Sequence, residues 1–216
     1  MNKSHIFNYY NQKAIHYGID RQRLEKTLEL ISKNDPLRIL DIGCATGYLG
    51  ETLRQYGHYV VGFDISEKAI QKAKHVLDKA YVVDIENQQF PKLPKFDLIV
   101  LSEVIEHLFQ PDIALHKIIS HLKPKGHLLV STPNFLYWGH RLQFLFGNFQ
   151  YSKQGTFDES HVRFFSYSLL KQMLQKNQLN IIRENHLTGG LVGQLLVPLA
   201  PQVFASHLIV LSQRTS

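Results

Sequence analysis

Two short segments of this 216-residue chain concentrate groups that could do chemistry. The first is Ser102-Glu103-Val104-Ile105-Glu106-His107-Leu108. Glu103, Glu106 and His107 stand at i, i+3 and i+4, so one helical turn would put all three on one face. Two carboxylates and an imidazole make a divalent-metal set that needs one or two further ligands or waters. A Glu–His pair that merely orders its loop is the competing reading. The second segment is Asp41-Ile42-Gly43-Cys44-Ala45-Thr46-Gly47, between the apolar run Ile39–Ile42 and an amphipathic stretch. Strand, tight turn and helix N-terminus is the layout in which backbone passes close to a bound nucleotide. Gly43 and Gly47 permit positive φ and carry no Cβ to hold a ligand away. The dinucleotide pattern G-x-G-x-x-G would need glycine where Ala45 and Tyr48 stand, so NAD is not the expected ligand. Asp41 would repel a pyrophosphate but suits a ligand bearing a cationic amino group. Cys44 reads as a small loop filler, since no histidine lies near it in sequence to act as its base.

Positioning these groups falls to alternating elements. Strands are expected near 37–42, 58–63, 80–84, 96–102 and 127–132, with intervening helices centred near 52, 71 and 117. Such alternation predicts an α/β fold, a parallel sheet with helices on both faces. Asp78-Lys79 and Pro124-Lys125-Gly126 punctuate two junctions. Two helices, about 4–17 and 19–33, form an N-terminal cap over 1–35; Leu24, Leu28 and Ile31 keep helical spacing and Asp35-Pro36 stops the second. A helix near 166–177 and strands near 179–186 and 204–211 complete the chain. Asp64 ends the buried run Val60-Val61-Gly62-Phe63 about 20 residues after the glycine loop, where a ribose-binding acid is expected. A helix N-cap before Ser66 is the alternative for it. Asp84, after Tyr81-Val82-Val83, is a ligand group or turn chemistry.

Composition sets outer limits. With 44% hydrophobic residues, a chain of this length can bury one core, and a single domain over 1–216 is expected. One cysteine excludes an internal disulfide and suits a reducing compartment. The first residues lack the apolar core of a signal peptide, so the expected location is cytoplasmic. A net charge of +6 suits RNA or acidic lipid, but the lysines are scattered and solubility is the plainer explanation. Residues 191–211 approach membrane-spanning length, yet Pro198, Pro201, two glutamines and His207 interrupt them. They read as a loop leading into a buried strand.

Between 134 and 165 the strand–helix rhythm breaks, and long irregular segments inside compact domains are usually functional. Phe135, Tyr137, Trp138, Phe144, Phe146, Phe149 and Tyr151 make this insertion too aromatic for an ordinary solvated loop. It follows the last parallel strand, so it belongs beside the ligand site at the carboxyl ends of the strands. A lid over an apolar or aromatic substrate is one reading. Peripheral membrane contact through 135–151, with Arg141 toward the headgroups, is another. A short helix with its aromatic rings in the core is the third.

Asp41-x-Gly43-x-Ala45-x-Gly47 resembles the nucleotide loop of class I S-adenosylmethionine-dependent methyltransferases. His58–Asp64, Tyr81–Ile85, Phe96–Leu108 and Leu122–Pro133 resemble that family's second to fifth strands, in order, across roughly residues 37–188. Lys125 stands where the family usually has a second glycine. The resemblance implies a Rossmann-like, doubly wound, seven-stranded sheet of order 3-2-1-4-5-7-6 with the last strand antiparallel. It implies S-adenosylmethionine as cofactor, held by Asp41, Gly43, Cys44, Ala45, Gly47, Asp64, Ile65, Asp84, Ile85, Ser102 and Glu103. The E-x-x-E-H motif with a later histidine, His161, resembles ubiquinone-biosynthesis O-methyltransferases and small-RNA ribose methyltransferases. That likeness implies a Mg, Mn or Zn ion on Glu103, Glu106, His107 and His161, with His107 and His161 as catalytic groups.

The expected function is therefore O-methylation of a small apolar or aromatic acceptor bearing a hydroxyl. The cofactor's sulfonium makes the methyl group electrophilic, leaving the protein to align the acceptor and take its proton. RNA ribose 2′-O-methylation and a non-catalytic accessory role of the methionine-biosynthesis type are the alternatives. Basicity favours RNA, but no concentrated basic stripe is visible.

Overall fold

Near-continuous apolar runs, rather than alternating ones, build the centre of the molecule, as strands buried on both faces require. They form β1 (Arg38–Ile42), β2 (Tyr59–Asp64), β4 (Phe96–Ser102) and the second half of the long β5 (Leu122–Pro133), while β3 (Lys79–Val82) is a short edge strand with exposed ends. In the computed structural model, which describes residues 20–215, these strands are joined by β6 (Leu179–Glu184) and β7 (His207–Arg214). The seven-stranded sheet has the order β3-β2-β1-β4-β5-β7-β6. β7 runs antiparallel to both neighbours, and β1 to β5 pair in parallel. This is the expected topology. The expected helix over 4–17 lies outside the described residues.

Successive residues of a strand feed opposite cores. Leu40, Ile42, Ile99 and Leu101 face one layer, which holds α4 (Pro111–Ile119) and α6 (Tyr167–Lys176) through Leu115, Ile118 and Leu174. Ile39, Leu98 and Val100 face the other, which holds α1 (Arg21–Leu28), α2 (Tyr48–Gln55) and α3 (Glu67–Ala73) through Leu28, Leu53 and Ile70. α1 is tied to the sheet by polar contacts: Lys26 donates to Asn185, and Asn185 returns hydrogen bonds to the Lys26 carbonyl and to Glu29.

Two expectations need correction. Pro124-Lys125-Gly126 is no junction but an irregularity inside β5, whose register against β4 shifts between Phe96 and Leu98. Lys125 takes a φ of +58° there, a conformation glycine adopts without strain. Residues 191–205 are not a loop either. They form α7 (Gly190–Leu196) and the short α8 (Pro201–Phe204), which has proline in its first turn. That helix occupies the start of the stretch expected as strand, so β7 begins only at His207.

The insertion after β5 contains one helix, α5 (Trp138–Leu145), with no buried residue. It is therefore not a core-packed helix. No helix among the described residues is long and apolar enough to cross a membrane.

Candidate functional site

The glycine loop joins β1 to α2 through three left-handed residues, Gly43 (φ +74°), Ala45 (φ +46°) and Gly47 (φ +91°). Gly43 and Cys44 donate their N–H groups to the Phe63 carbonyl of β2. A side chain on Gly43 would run into Val104, and one on Gly47 into Val76, so local packing as well as ligand approach demands glycine. Cys44 lies buried beneath Gly62. Burial and the nearby Asp41 and Asp64 raise its thiol pKa well above the usual value, which keeps it inert.

Asp64 sits at the end of β2 and is the clamp of this loop. One carboxylate oxygen accepts the Ala45 N–H at 2.9 Å, and the other accepts the Ser66 N–H at 2.8 Å. The N-cap of α3 is Ser66, whose hydroxyl accepts from Ala69, so capping does not account for Asp64. Burial raises the Asp64 pKa, and the donating N–H groups pull it back. Asp41, 2% exposed beneath the loop, is pushed to about 7 by burial and by the charge of Asp64. A cationic group placed beside Asp41 would restore its ionised form.

Asp84 stands beyond the end of β3 and uses both oxygens locally, accepting from the Glu86 and Asn87 N–H groups and the Asn87 amide. Ile85 is buried beside it, and Ile65 follows Asp64 at intermediate exposure. At the tip of β4, Ser102 shares a hydroxyl hydrogen bond with Ser131, which donates to Glu103 at 2.9 Å.

The E-x-x-E-H motif does not form one helical turn. Ile105–His107 is a 3-10 turn, and Glu103 lies outside it with a φ of +56°. Glu103 turns toward Arg23 of α1 and His207 of β7, which approach its Oε2 at 3.4 and 3.6 Å. Glu106, His107 and His161 do come together, with one ligand atom from each lying within 4.8 Å of the others. Glu103 is not part of that set, which corrects the expected four-residue arrangement.

The chemistry of this trio is specific. His107 Nδ1 donates to the Ser160 carbonyl and His161 Nδ1 to the Thr156 carbonyl, each at 3.0 Å. A carbonyl can only accept, so each neutral ring carries its lone pair on Nε2. Glu106 is 1% exposed; its Oε2 accepts from Thr132, while its Oε1 has no hydrogen-bond partner and lies 4.0 Å from His161 Nε2. Burial and the Glu103 charge raise the Glu106 pKa well above normal. Two imidazole lone pairs gathered near an unpartnered carboxylate oxygen suit a cation or a shared proton. These are groups that could ligate a metal ion.

Over the same end of the sheet the aromatic insertion forms a ring cluster centred on Phe157. Its neighbours are Phe135, Phe144, Phe149, Phe164 and His140, at centroid separations of 4.8 to 6.5 Å. Trp138, Leu142, Leu145 and Phe146 instead point outward, the last two about three-quarters exposed. The insertion is thus divided: an inner ring cluster supports an outer apolar surface.

A family model described as a methyltransferase domain matches residues 15–184. The chain belongs to that family.

Among curated methyltransferases, the ubiquinone biosynthesis O-methyltransferase of Bartonella tribocorum is 32% identical over 161 residues. That match covers 71% of this chain and 64% of the relative, so the chain spans somewhat less than two thirds of the relative's length. Among solved structures, magnesium protoporphyrin IX methyltransferase from Synechocystis with bound S-adenosylhomocysteine matches with a TM-score of 0.71 at 16% identity. It covers 99% of this chain and all of that one. The N-methyltransferase NodS of Bradyrhizobium japonicum, also with S-adenosylhomocysteine, matches at a TM-score of 0.63 and 20% identity over 91% of this chain and 88% of its own. These structural likenesses establish the fold.

Several residues of this methyltransferase domain's site carried no sequence signal. Arg23 and His207 meet Glu103 from opposite ends of the chain, and Thr132 reaches Glu106 from β5. His140 packs on Phe157 and hydrogen-bonds the Asn134 carbonyl; burial lowers its pKa. Only the fold brings them together. A histidine seven residues past the end of β5 was the one available hint.

Proposed function

We propose that the protein transfers the methyl group of S-adenosylmethionine to a hydroxyl of a small apolar or aromatic acceptor. The observation that carries this reading is the Asp64 clamp. A half-buried carboxylate fixed to the glycine loop at the end of β2 is where the ribose hydroxyls of the cofactor would be held. Asp41 would neutralise the cofactor's amino group, and Gly43 and Gly47 give its chain room. Ile65 and Ile85 are the apolar candidates for the adenine, with Asp84 for its amino group. Ser102 and Glu103 close the pocket at the tip of β4. When bound, the cofactor supplies an electrophilic methyl group, so the protein's tasks are alignment, exclusion of water and removal of the acceptor's proton. The Phe157 cluster supports exclusion of water and an aromatic acceptor face.

Glu106, His107 and His161 are the proposed proton-handling groups. Their donor set also favours a Mg, Mn or Zn ion, which would lower the pKa of a coordinated acceptor hydroxyl. Without an ion, the neutral Nε2 of His161 or His107 would take that proton directly. The outward apolar side chains of α5, beside Arg141, support peripheral membrane contact as the route for an apolar acceptor.

The test is a methyl-transfer assay with labelled S-adenosylmethionine and a panel of catechols, followed by mass spectrometry of the product. Transfer to ring oxygen by the isolated protein is the expected result. Cofactor binding with no transfer to any catechol would favour the accessory role instead.

A further inference from the structure

Asp84 is gripped on both carboxylate oxygens. Its Oδ1 accepts the Glu86 N–H at 3.1 Å and the Asn87 N–H at 3.2 Å, and its Oδ2 accepts the Asn87 side-chain amide at 2.8 Å. A turn built on an aspartate needs only the backbone contacts. The bond from the Asn87 side chain is an addition to it. An ionised carboxylate offers about four lone-pair sites, so these three bonds leave one open, on Oδ2. Only the NH₂ end of an amide can face a carboxylate, which fixes the orientation of Asn87 as well. The direction of the open lone pair is therefore set by Asn87.

Other groups hold the rest of this loop. The Asp84 N–H donates to Gln88 Oε1, and the Gln88 N–H returns to the Asp84 carbonyl, both at 2.9 Å. Glu86 Oε1 accepts the Gln110 N–H at 2.8 Å, and Lys117 Nζ donates to the Gln88 carbonyl at 2.7 Å, which ties the loop to α4 and the residue before it. Ile85 is buried beneath. The Asn87 side chain is exposed, and its amide is spent on Asp84. It orients one carboxylate oxygen and leaves the course of the loop to its neighbours.

We propose that Asn87 is a positioning residue that sets which purine the cofactor site accepts, by aiming the open lone pair of Asp84 Oδ2 at the 6-amino group of adenine. The inference rests on the methyltransferase reading that gives Asp84 to the adenine, and adds to it a second residue and a source of selectivity. A 6-amino group donates to that lone pair. A 6-oxo purine would bring an oxygen instead, leaving two acceptors face to face, a mismatch that a site built for hydrogen bonding rejects.

The experiment titrates S-adenosylhomocysteine and S-inosylhomocysteine, which differ at position 6 of the purine, into the full chain by calorimetry. The wild type should bind the adenosyl compound roughly tenfold or more tightly than the inosyl one. Asn87→Ala should cut that preference to about threefold or less, chiefly by weakening the adenosyl compound, and melt at the wild-type temperature. Asn87→Asp, nearly isosteric but without a donor, should remove the preference as well. In an Asp84→Ala background, Asn87→Ala should change the preference no further, as expected of a residue that acts through Asp84. A preference that survives both substitutions, one that grows because Asn87 competes with the ligand for Asp84, or an effect of Asn87→Ala that persists without Asp84 would overturn the proposal. Equal binding of the two compounds by the wild type would overturn it by removing Asp84 from the adenine, while the cofactor reading stands. Binding of neither compound would contradict the methyltransferase reading and the proposal with it.

Discussion

Asp64 holds the Ala45 N–H on one carboxylate oxygen and the Ser66 N–H on the other, so a single side chain fixes both the glycine loop and the entry to α3. Replacing it with alanine removes two charge-assisted hydrogen bonds and leaves the left-handed Ala45 unsupported. Asp64→Ala should weaken S-adenosylmethionine binding by roughly 2 kcal/mol or more and lower the melting temperature of the free protein. Calorimetry and thermal melts check both effects. A variant with wild-type affinity would remove Asp64 from the cofactor site.

Asp41 makes the cofactor site pH-dependent. Its folded pKa, about 7, lies above the ordinary 3.8. The stability it contributes is fully present below 3.8, where both states are protonated, and is lost as pH rises through about 7. Asp41→Asn should therefore stabilise the free protein at pH 8, by at most about 4 kcal/mol, and have little effect at pH 4. Cofactor binding should run the other way. If its amino group ionises Asp41, affinity rises with pH through 7 and binding below 7 releases a proton. Titrations in buffers of different ionisation heat would detect that proton.

The trio of Glu106, His107 and His161 separates a metal site from a proton site. With a metal, exhaustive chelation should suppress methyl transfer and Mg²⁺, Mn²⁺ or Zn²⁺ should restore it. Glu106→Gln, nearly isosteric, should then raise the metal concentration required while the protein stays folded. Chelator-insensitive transfer, with no metal by elemental analysis, would leave His161 and His107 as direct proton acceptors. His161→Ala should lower turnover in either case.

The aromatic insertion predicts a split in mutational effects. Phe157→Ala removes the hub of the ring cluster and should cost about 3 kcal/mol of stability. Phe146→Ser, at a side chain 75% exposed, should change stability by no more than about 0.5 kcal/mol. Combined with Trp138→Ser, it should impair use of an apolar acceptor, or binding to anionic vesicles, while cofactor affinity stays intact. Equal destabilisation by both substitutions would mean that the outer rings are core.

The strands were legible because burial on both faces writes near-continuous apolar runs such as Ile39–Ile42, interrupted only by Asp41, and Leu98–Leu101, and β1 and β4 follow those runs closely. The glycine loop was legible because only small residues tolerate its left-handed backbone. Glu103 was misread for the complementary reason. Its spacing fits a helical turn, but the residue itself takes a positive φ, which glutamate rarely advertises in sequence. The helices over 190–204 were missed because glycines and prolines mask a short helical spacing. Arg23 and His207 could not be read at all, since their meeting at Glu103 depends on α1 packing over the far edge of the sheet.

The account rests on S-adenosylmethionine occupying the Asp41–Asp64 pocket. Calorimetric titration of the cofactor into the wild-type protein, with Asp64→Ala in parallel, tests that most directly. Saturable one-to-one binding, weakened by roughly thirtyfold or more in the variant, is the predicted result. No heat of binding to the folded wild type, or equal binding by both proteins, would contradict it.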